Sequence, residues 1–247
     1  MSIKNILVSQ NAPRVLTQYQ TVSEKYGVEF HFRPFFKVEP LTSREFRAQR
    51  INLLDYTAVL FSSRHAIDAY FSLAEELRCK IPETMKYFCT TEAVAMYLQK
   101  HIVYRKRKIF YGTGTAESVL ALIGPKHKGE KFLVTMSDSA SPDNISALMG
   151  AAHLDFTIGV FVKSVSQDMK DLDLSKFDMI VFYNNADVKS LYENFPDFKQ
   201  GNIKFVSFGR SIVKHMEEAG LEIAVKAPSP EAPSVARAIE LYLESLK

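Results

Sequence analysis

A repeating unit constrains this chain more than any other feature. A short apolar run stops at small, hydroxyl-bearing or amide residues, and an amphipathic stretch follows. The clearest copy lies between Tyr56 and Leu77. Thr57 to Phe61 is an apolar run with a β-branched start, the pattern of a buried strand. Ser62 and Ser63 break it. Ala66, Tyr70, Leu73 and Leu77 then recur at helical spacing. Either serine can cap the helix by accepting an orphan backbone N–H. A strand ending in hydroxyls at a helix start leaves N–H donors and a positive dipole end free, which suits carboxylate or phosphate. One such turn alone reads as an ordinary capped connection. Its recurrence along the chain gives it meaning.

In order, Ile3 to Val8 reads as a strand ending at Ser9-Gln10-Asn11. A helix over Arg14 to Tyr26 follows, closed by Gly27. Val28 to Val38 alternates as a long extended run, and Pro34 inside it marks an edge or a crossing between sheets. Ser43 to Asn52 reads as a charged helix. Beyond the anchoring unit come strands at Lys86–Cys89 tipped by Thr90-Thr91, at Lys108–Tyr111 tipped by Gly112-Thr113-Gly114, and at Lys131–Met136 tipped by Ser137-Asp138. Each leads into a helix, the last near Asp143 to Ala152. Asp155 to Ser164 is a second long extended run. Met179–Phe182 is tipped by Tyr183-Asn184-Asn185, and Ile203–Phe208 by Gly209-Arg210-Ser211. Glu222–Val225 and a helix over Ala232 to Ser245 complete the chain.

Strands alternating with helices at this spacing predict parallel sheets covered on both faces. The two long runs bracket a block of βα units and read as a paired connector between two flavodoxin-like lobes. One lobe is then discontinuous, residues 1–36 plus 163–247, with the other, 37–162, inserted. Ligands of open α/β sheets sit beyond the carboxyl ends of the strands. The expectation is one interlobe cleft lined by the tips.

Bulk properties exclude more than they assign. At 247 residues the chain can bury a large core. A net charge of +3 is too small for a nucleic-acid footprint and compatible with an anionic small ligand. Lys4 and Asn5 interrupt the start before a signal-peptide core could form, and no apolar run reaches membrane-spanning length. Cys79 and Cys89 do not form a disulfide framework, so a reducing cytoplasm is expected. Gly112-Thr113-Gly114 has Glu117 where a dinucleotide fingerprint needs glycine, and no Walker loop occurs. The six histidines lack metal-ligand spacing, and no nucleophile elbow is present. His65 beside the serine tip reads as a half-exposed helix-start residue. Arg105 to Lys108 reads as a solvated loop before a strand. What remains is a ligand surface of helix starts and hydroxyls with few strong acids or bases, fitting a polyanion held largely by backbone N–H groups.

At this point the sequence resembles the uroporphyrinogen-III synthase family over its whole length. Phe61-Ser62-Ser63-Arg64-His65-Ala66-Ile67 is similar to the family's Phe-Thr-Ser-x-x-Ala-Val element. Ser207-Phe208-Gly209 with Glu218-Ala219-Gly220-Leu221 resembles its late Ile-Gly … Gly-Leu segment. Ala227-Pro228-Ser229-Pro230-Glu231 resembles the run before its last helix. The resemblance implies two lobes and a β connector. It also implies a cofactor-free reaction: hydroxymethylbilane loses water and closes into a ring with its last pyrrole turned round. Each pyrrole carries an acetate and a propionate, so helix starts suit the substrate. Unassisted closure gives the unturned isomer, and holding the chain in a productive shape is the enzyme's first task.

The substrate-binding residues expected on this basis are Ser62, Ser63, Arg64, Thr90, Thr91, Thr113 and Ser137 in the inserted lobe. In the other lobe they are Asn184, Asn185, Gly209, Arg210 and Ser211. The family's connector carries a tyrosine taken as a candidate acid, and Phe161 stands at the matching position. The family's Phe-Ser-Pro-Ser-Gly tip is here Phe182-Tyr183-Asn184-Asn185-Ala186, and Arg210 enlarges another tip. Tyr183 is therefore the expected catalytic phenol. No metal is implied, and the only partner expected is the small linear tetrapyrrole, with no nucleic acid or membrane and a monomeric enzyme. The altered positions leave open a weakened or inactive relative that binds a tetrapyrrole or another polycarboxylate. A two-lobed sensor of another class is the third reading.

Overall fold

The structure is a computed structural model. It describes residues 3–246, with the side chains of Arg210 and Ser211 outside the described set. The chain divides into two compact units, Met1–Lys37 with Val165–Lys247, and Val38–Ser164.

The first unit contains β1 (Asn5–Val8), α1 (Thr17–Tyr26) and β2 (Glu29–Phe32), then β9 (Met179–Phe182), α7 (Asn185–Asn194), β10 (Lys204–Phe208), α8 (Arg210–Glu218), β11 (Ile223–Ala227) and α9 (Val235–Ser245). Between them run β3 (Phe36–Pro40), α2 (Ser43–Arg47), β4 (Ala58–Phe61), α3 (Arg64–Glu76), β5 (Lys86–Cys89), α4 (Glu92–Tyr97), β6 (Ile109–Tyr111), α5 (Ala116–Ile123), β7 (Lys131–Ser137), α6 (Asp143–Ala151) and β8 (Asp155–Ser166). A five-stranded sheet has the order β11-β10-β9-β1-β2, with every neighbouring pair parallel. A six-stranded sheet has the order β3-β8-β7-β4-β5-β6, and its pairs from β8 to β6 are parallel. The chain passes between units within β3 and within β8, which are neighbours in that sheet: this is the two-stranded connector.

Alternation along the buried strands builds a core on each face. In β4, Val59 and Phe61 join one apolar cluster and Ala58 and Leu60 another. In β9, Ile180 and Phe182 face one cluster and Met179 and Val181 the other. Full burial on both faces is what parallel strands under helices require.

Several boundaries differ from the sequence reading. The run Val28 to Val38 breaks at Arg33-Pro34-Phe35 into β2 and β3, which belong to different sheets. Pro34 has no N–H to continue a ladder there. The expected helix Ser43–Asn52 stops at Arg47, and Arg50 takes a left-handed φ of 56° in the turn that ends it. The first helix starts at Thr17 rather than Arg14, and the last at Val235, capped by Ser234 rather than opening at Ala232. Gly27 closes α1 with φ 67°, as glycine after a helix does.

Candidate active site

In the unit Val38–Ser164, β4 ends on exposed Ser62, and Ser63 caps α3: its Oγ accepts from the Ala66 N–H at 3.1 Å. That geometry uses a lone pair and leaves the hydroxyl hydrogen free to donate. The first turn of α3 contains no acid. It does contain Arg64, whose guanidinium carbon lies 5.5 Å from the centre of the Tyr97 ring. Among the described residues no carboxylate pairs with Arg64. The nearby acid, Asp68, is engaged elsewhere. It accepts from Tyr97 Oη at 2.7 Å and Lys100 Nζ at 3.3 Å, and its Oδ1 lies 2.7 Å from His101 Nε2. Burial works to raise the Asp68 pKa, but these three partners outweigh it and hold the group below its ordinary value. A cation unpaired at a helix start works against the dipole, so this turn carries concentrated positive potential. Beside it lies a groove of about 460 Å³ that includes His65, Asp68, Phe71, Lys100, Val38 and Val162.

The neighbouring tips assemble on this one. Thr90 N–H donates to Phe61 O at 3.0 Å, and Thr90 Oγ1 to Ser62 O at 3.4 Å. Thr91 caps α4 through the Val94 N–H. Gly112 N–H donates to Cys89 O and Gly114 N–H to Thr90 O, which brings exposed Thr113 alongside. A Cβ at Gly112 would sit 2.3 Å from Ser118 Oγ, which is held by Thr113 N–H and Thr115 O, and 3.1 Å from the backbone of Val119. The first turns of α4, α5 and α6 carry Glu92, Glu117 and Asp143 respectively. Ser137 is not bonded to this group. Its hydroxyl joins Asp138 Oδ1 at 3.2 Å and Ser139 Oγ at 3.1 Å, and Ser139 in turn meets Ser164 on β8.

Phe161 is fully buried, with ring centres 4.9 Å from Phe46 and 5.8 Å from Tyr70. A phenol at that position of β8 would place its hydroxyl in the unit's own core.

In the other unit, β9 ends at half-buried Tyr183, and Asn184 caps α7 by accepting from the Ala186 N–H at 2.8 Å. Asp187, third in the helix, completes a capping box. Its Oδ2 accepts from the backbone N–H of Tyr183 at 2.7 Å and of Asn184 at 3.0 Å. Asp187 is wholly buried, and its Oδ1 has no hydrogen-bond partner; the same holds for the buried hydroxyls of Ser9 and Ser207. Burial pushes the carboxyl up to about 6, against the pull of the two N–H donors. Ser9 stands near enough to favour the charged form without reaching hydrogen-bond geometry.

The Tyr183 ring packs 5.6 Å from Phe208 and borders a hollow of about 350 Å³ with Tyr19, Gln10, Asn11 and Gln18. Burial drives its phenol well above the ordinary value, and Tyr19 and the Asp187 charge push the same way. Gly209 opens α8 at φ 145°, a conformation that excludes L side chains, and a Cβ there would approach Tyr183 O to 3.3 Å. The first turn of α8 carries no acid. Sequence reasoning missed Asp187 and Tyr97. The first had a signal, the Asn184-x-x-Asp187 spacing of a capping box; the second had none, because its contact with Arg64 joins two helices.

Among the described residues, no group of His, Cys, Asp and Glu side chains could hold a metal ion. Parallel α/β units, with capped helix starts at the carboxyl ends of their strands, define the class: a two-unit α/β protein. The family model described as Uroporphyrinogen-III synthase HemD matches residues 17–237, and the chain belongs to that family, whose members are cofactor-independent cyclising lyases of haem biosynthesis. Among solved structures, the uroporphyrinogen-III synthetase of Helicobacter pylori shares 17% identity at a TM-score of 0.57, over 99% of this chain and 100% of that one. A mutant uroporphyrinogen III synthase of the extremely thermophilic bacterium Thermus thermophilus shares 15% at 0.55, over 98% and 99%. At such identities the likeness is one of fold. No curated protein matches the chain.

Proposed function

We propose that this chain closes hydroxymethylbilane to uroporphyrinogen III, with loss of water and inversion of the last pyrrole. Family membership supports the reading. The observation that carries it is the β4–α3 turn: a helix start with an unpaired Arg64, two serines and no acid in its first turn. That arrangement suits the acetate and propionate arms of a pyrrole, and the adjoining groove offers Val38, Phe71 and Val162 to the ring itself.

In this reading Ser62, Ser63 and Arg64 hold one set of carboxylates. Thr90, Thr91, Thr113 and Ser137 extend the hydroxyl-bearing edge. In the other unit, Gly209, Arg210 and Ser211 form the acid-free start of α8, while Asn184 and Asn185 shape the β9–α7 turn, Asn184 by capping α7. Tyr183 faces the departing hydroxyl. Its raised pKa keeps it a neutral phenol and makes it a poor proton source, so its part is hydrogen-bond donation as the C–O bond breaks. Most of the rate and all of the isomer choice come from holding the chain in shape. In this reading the enzyme acts in the cytoplasm as a monomer; no helix among the described residues is long and apolar enough to cross a membrane.

The test supplies hydroxymethylbilane to purified protein and separates the product isomers. The turned isomer well above the blank is expected. Only the unturned isomer, at the blank rate, overturns the proposal.

A further inference from the structure

A buried carboxylate at a helix start is expensive, and an amide could accept the same two N–H groups as Asp187 does without a buried charge. Its Oδ2 takes the N–H groups of Tyr183 and Asn184, while Asn184 Oδ1 takes that of Ala186. The Asp187 N–H itself donates to Asn184 O at 3.1 Å. Of the donors that would make this turn an anion site, the Asn185 N–H alone has no acceptor among the described residues. A full negative charge lies directly behind it. Ser9 and Ser207, at the ends of the flanking strands β1 and β10, present hydroxyls without partners on the same buried face, so among the described residues no cation offsets that charge from the sheet side. On α7 the nearest lysine, Lys189, reaches outward to Glu193 at 3.7 Å.

We propose that Asp187 is a positioning residue that fixes the β9–α7 turn behind Tyr183 and closes that turn to the substrate's carboxylates. It thereby confines anion binding to the acid-free helix starts and keeps the tetrapyrrole in a single register. The proposal deepens the synthase reading and rests on it. Its consequence is specific: without the charge, substrate carboxylates also bind at the wrong helix start, as non-productive complexes.

Two measurements test this on the full chain. The first follows backbone amides by NMR during titration with sulfate. In the wild type the amides of Asn184 to Ala186 should stay unmoved. In D187N, which keeps an acceptor for the two N–H groups, they should shift. Wild-type amides of Asn184 to Ala186 that move with the affinity of Arg64 to Ala66, or a D187N turn that stays silent, would overturn the proposal. The wild-type arm stands even if the variant folds poorly. The second measurement is kinetic. D187N should lower KM and kcat together, by roughly three- to tenfold, leaving kcat/KM nearly unchanged, while D187E, which keeps the charge, stays near the wild type in KM. A D187N enzyme with both constants unaltered also overturns the idea. Should no variant or wild type form the turned isomer, the synthase reading fails instead, and the sulfate result still reports on the turn.

Discussion

The β4–α3 and β9–α7 turns start from the same plan and reach opposite electrostatics. Both follow a strand buried on both faces, and both cap the helix with a short polar side chain, Ser63 or Asn184. They part at the third helical residue. In α3 it is Ala66, so only one donor is occupied by the cap and Arg64 adds positive charge. In α7 it is Asp187, which occupies the neighbouring donors and brings a buried negative charge. A βα turn therefore offers anion-binding capacity by default, and one side chain decides whether it is kept or cancelled. In the proposed reading the first turn is a binding element and the second a rigid mount for Tyr183.

The largest effect expected from this contrast is at Arg64. Removing one charge-assisted hydrogen bond to a carboxylate costs about 1.5–3 kcal/mol, so R64A should lose roughly ten- to a hundredfold in kcat/KM. The thermal midpoint should barely move, because the guanidinium pairs with no carboxylate among the described residues. Retained kcat/KM would remove the basis for calling this turn the binding one.

Next comes Asp187 and the response to pH. Its pKa is about 6 in the fold against an ordinary 3.8, so the folded protein holds this proton more tightly than the unfolded chain. The stabilisation is fully present below 3.8 and is lost as pH rises through about 6. The gap corresponds to roughly 3 kcal/mol at most. Comparing denaturant midpoints of wild type and D187N from pH 7.5 to 4.5 should show the wild type gaining on the variant as pH falls. The comparison removes the contribution of Asp68 and Glu130, whose lowered pKa values act in the opposite sense. A constant difference would mean that Asp187 does not titrate within the fold.

This contrast also marks where the sequence stops being readable. Ser63 as a cap, Gly27 as a helix end and the hydroxyl tips follow local rules that need only near neighbours in the chain. The break at Pro34 was visible as a chemical obstacle, whereas the assignment of its two sides to different sheets depends on strand pairing far away. Phe161 showed its lack of a proton but not its inward orientation, which is set by Phe46 and Tyr70 from other elements. The Asn184-x-x-Asp187 spacing offers Asp187 as a capping residue but does not show that the sheet packed beneath α7 removes it from water.

Tyr183 should show a smaller effect than a true proton donor would. A neutral phenol with a raised pKa contributes one hydrogen bond, so Y183F should lower kcat about three- to tenfold and leave KM unchanged. A fall of about a thousandfold would assign full proton transfer to this phenol. The β9–α7 turn would then be a catalytic centre as well as a mount.

The smallest effect separates two roles of a single hydroxyl. Ser63 Oγ accepts from the Ala66 N–H at 3.1 Å, which accounts for capping but leaves its hydrogen unused. Glycine at a cap position costs only a few tenths of a kcal/mol relative to serine, so S63G should leave the thermal midpoint within about 2 °C. Asn184 offers the matching experiment, because its amide oxygen is used for capping in the same way at 2.8 Å. If the α3 turn binds carboxylate and the α7 turn does not, S63G should raise KM roughly threefold, because water can take the place of the lost hydroxyl donor, and N184G should not. Equal shifts in KM for the two variants would mean that the turns differ in charge but not in use. Equal silence would reduce the serine to a cap and leave substrate binding at α3 to Arg64 and the backbone.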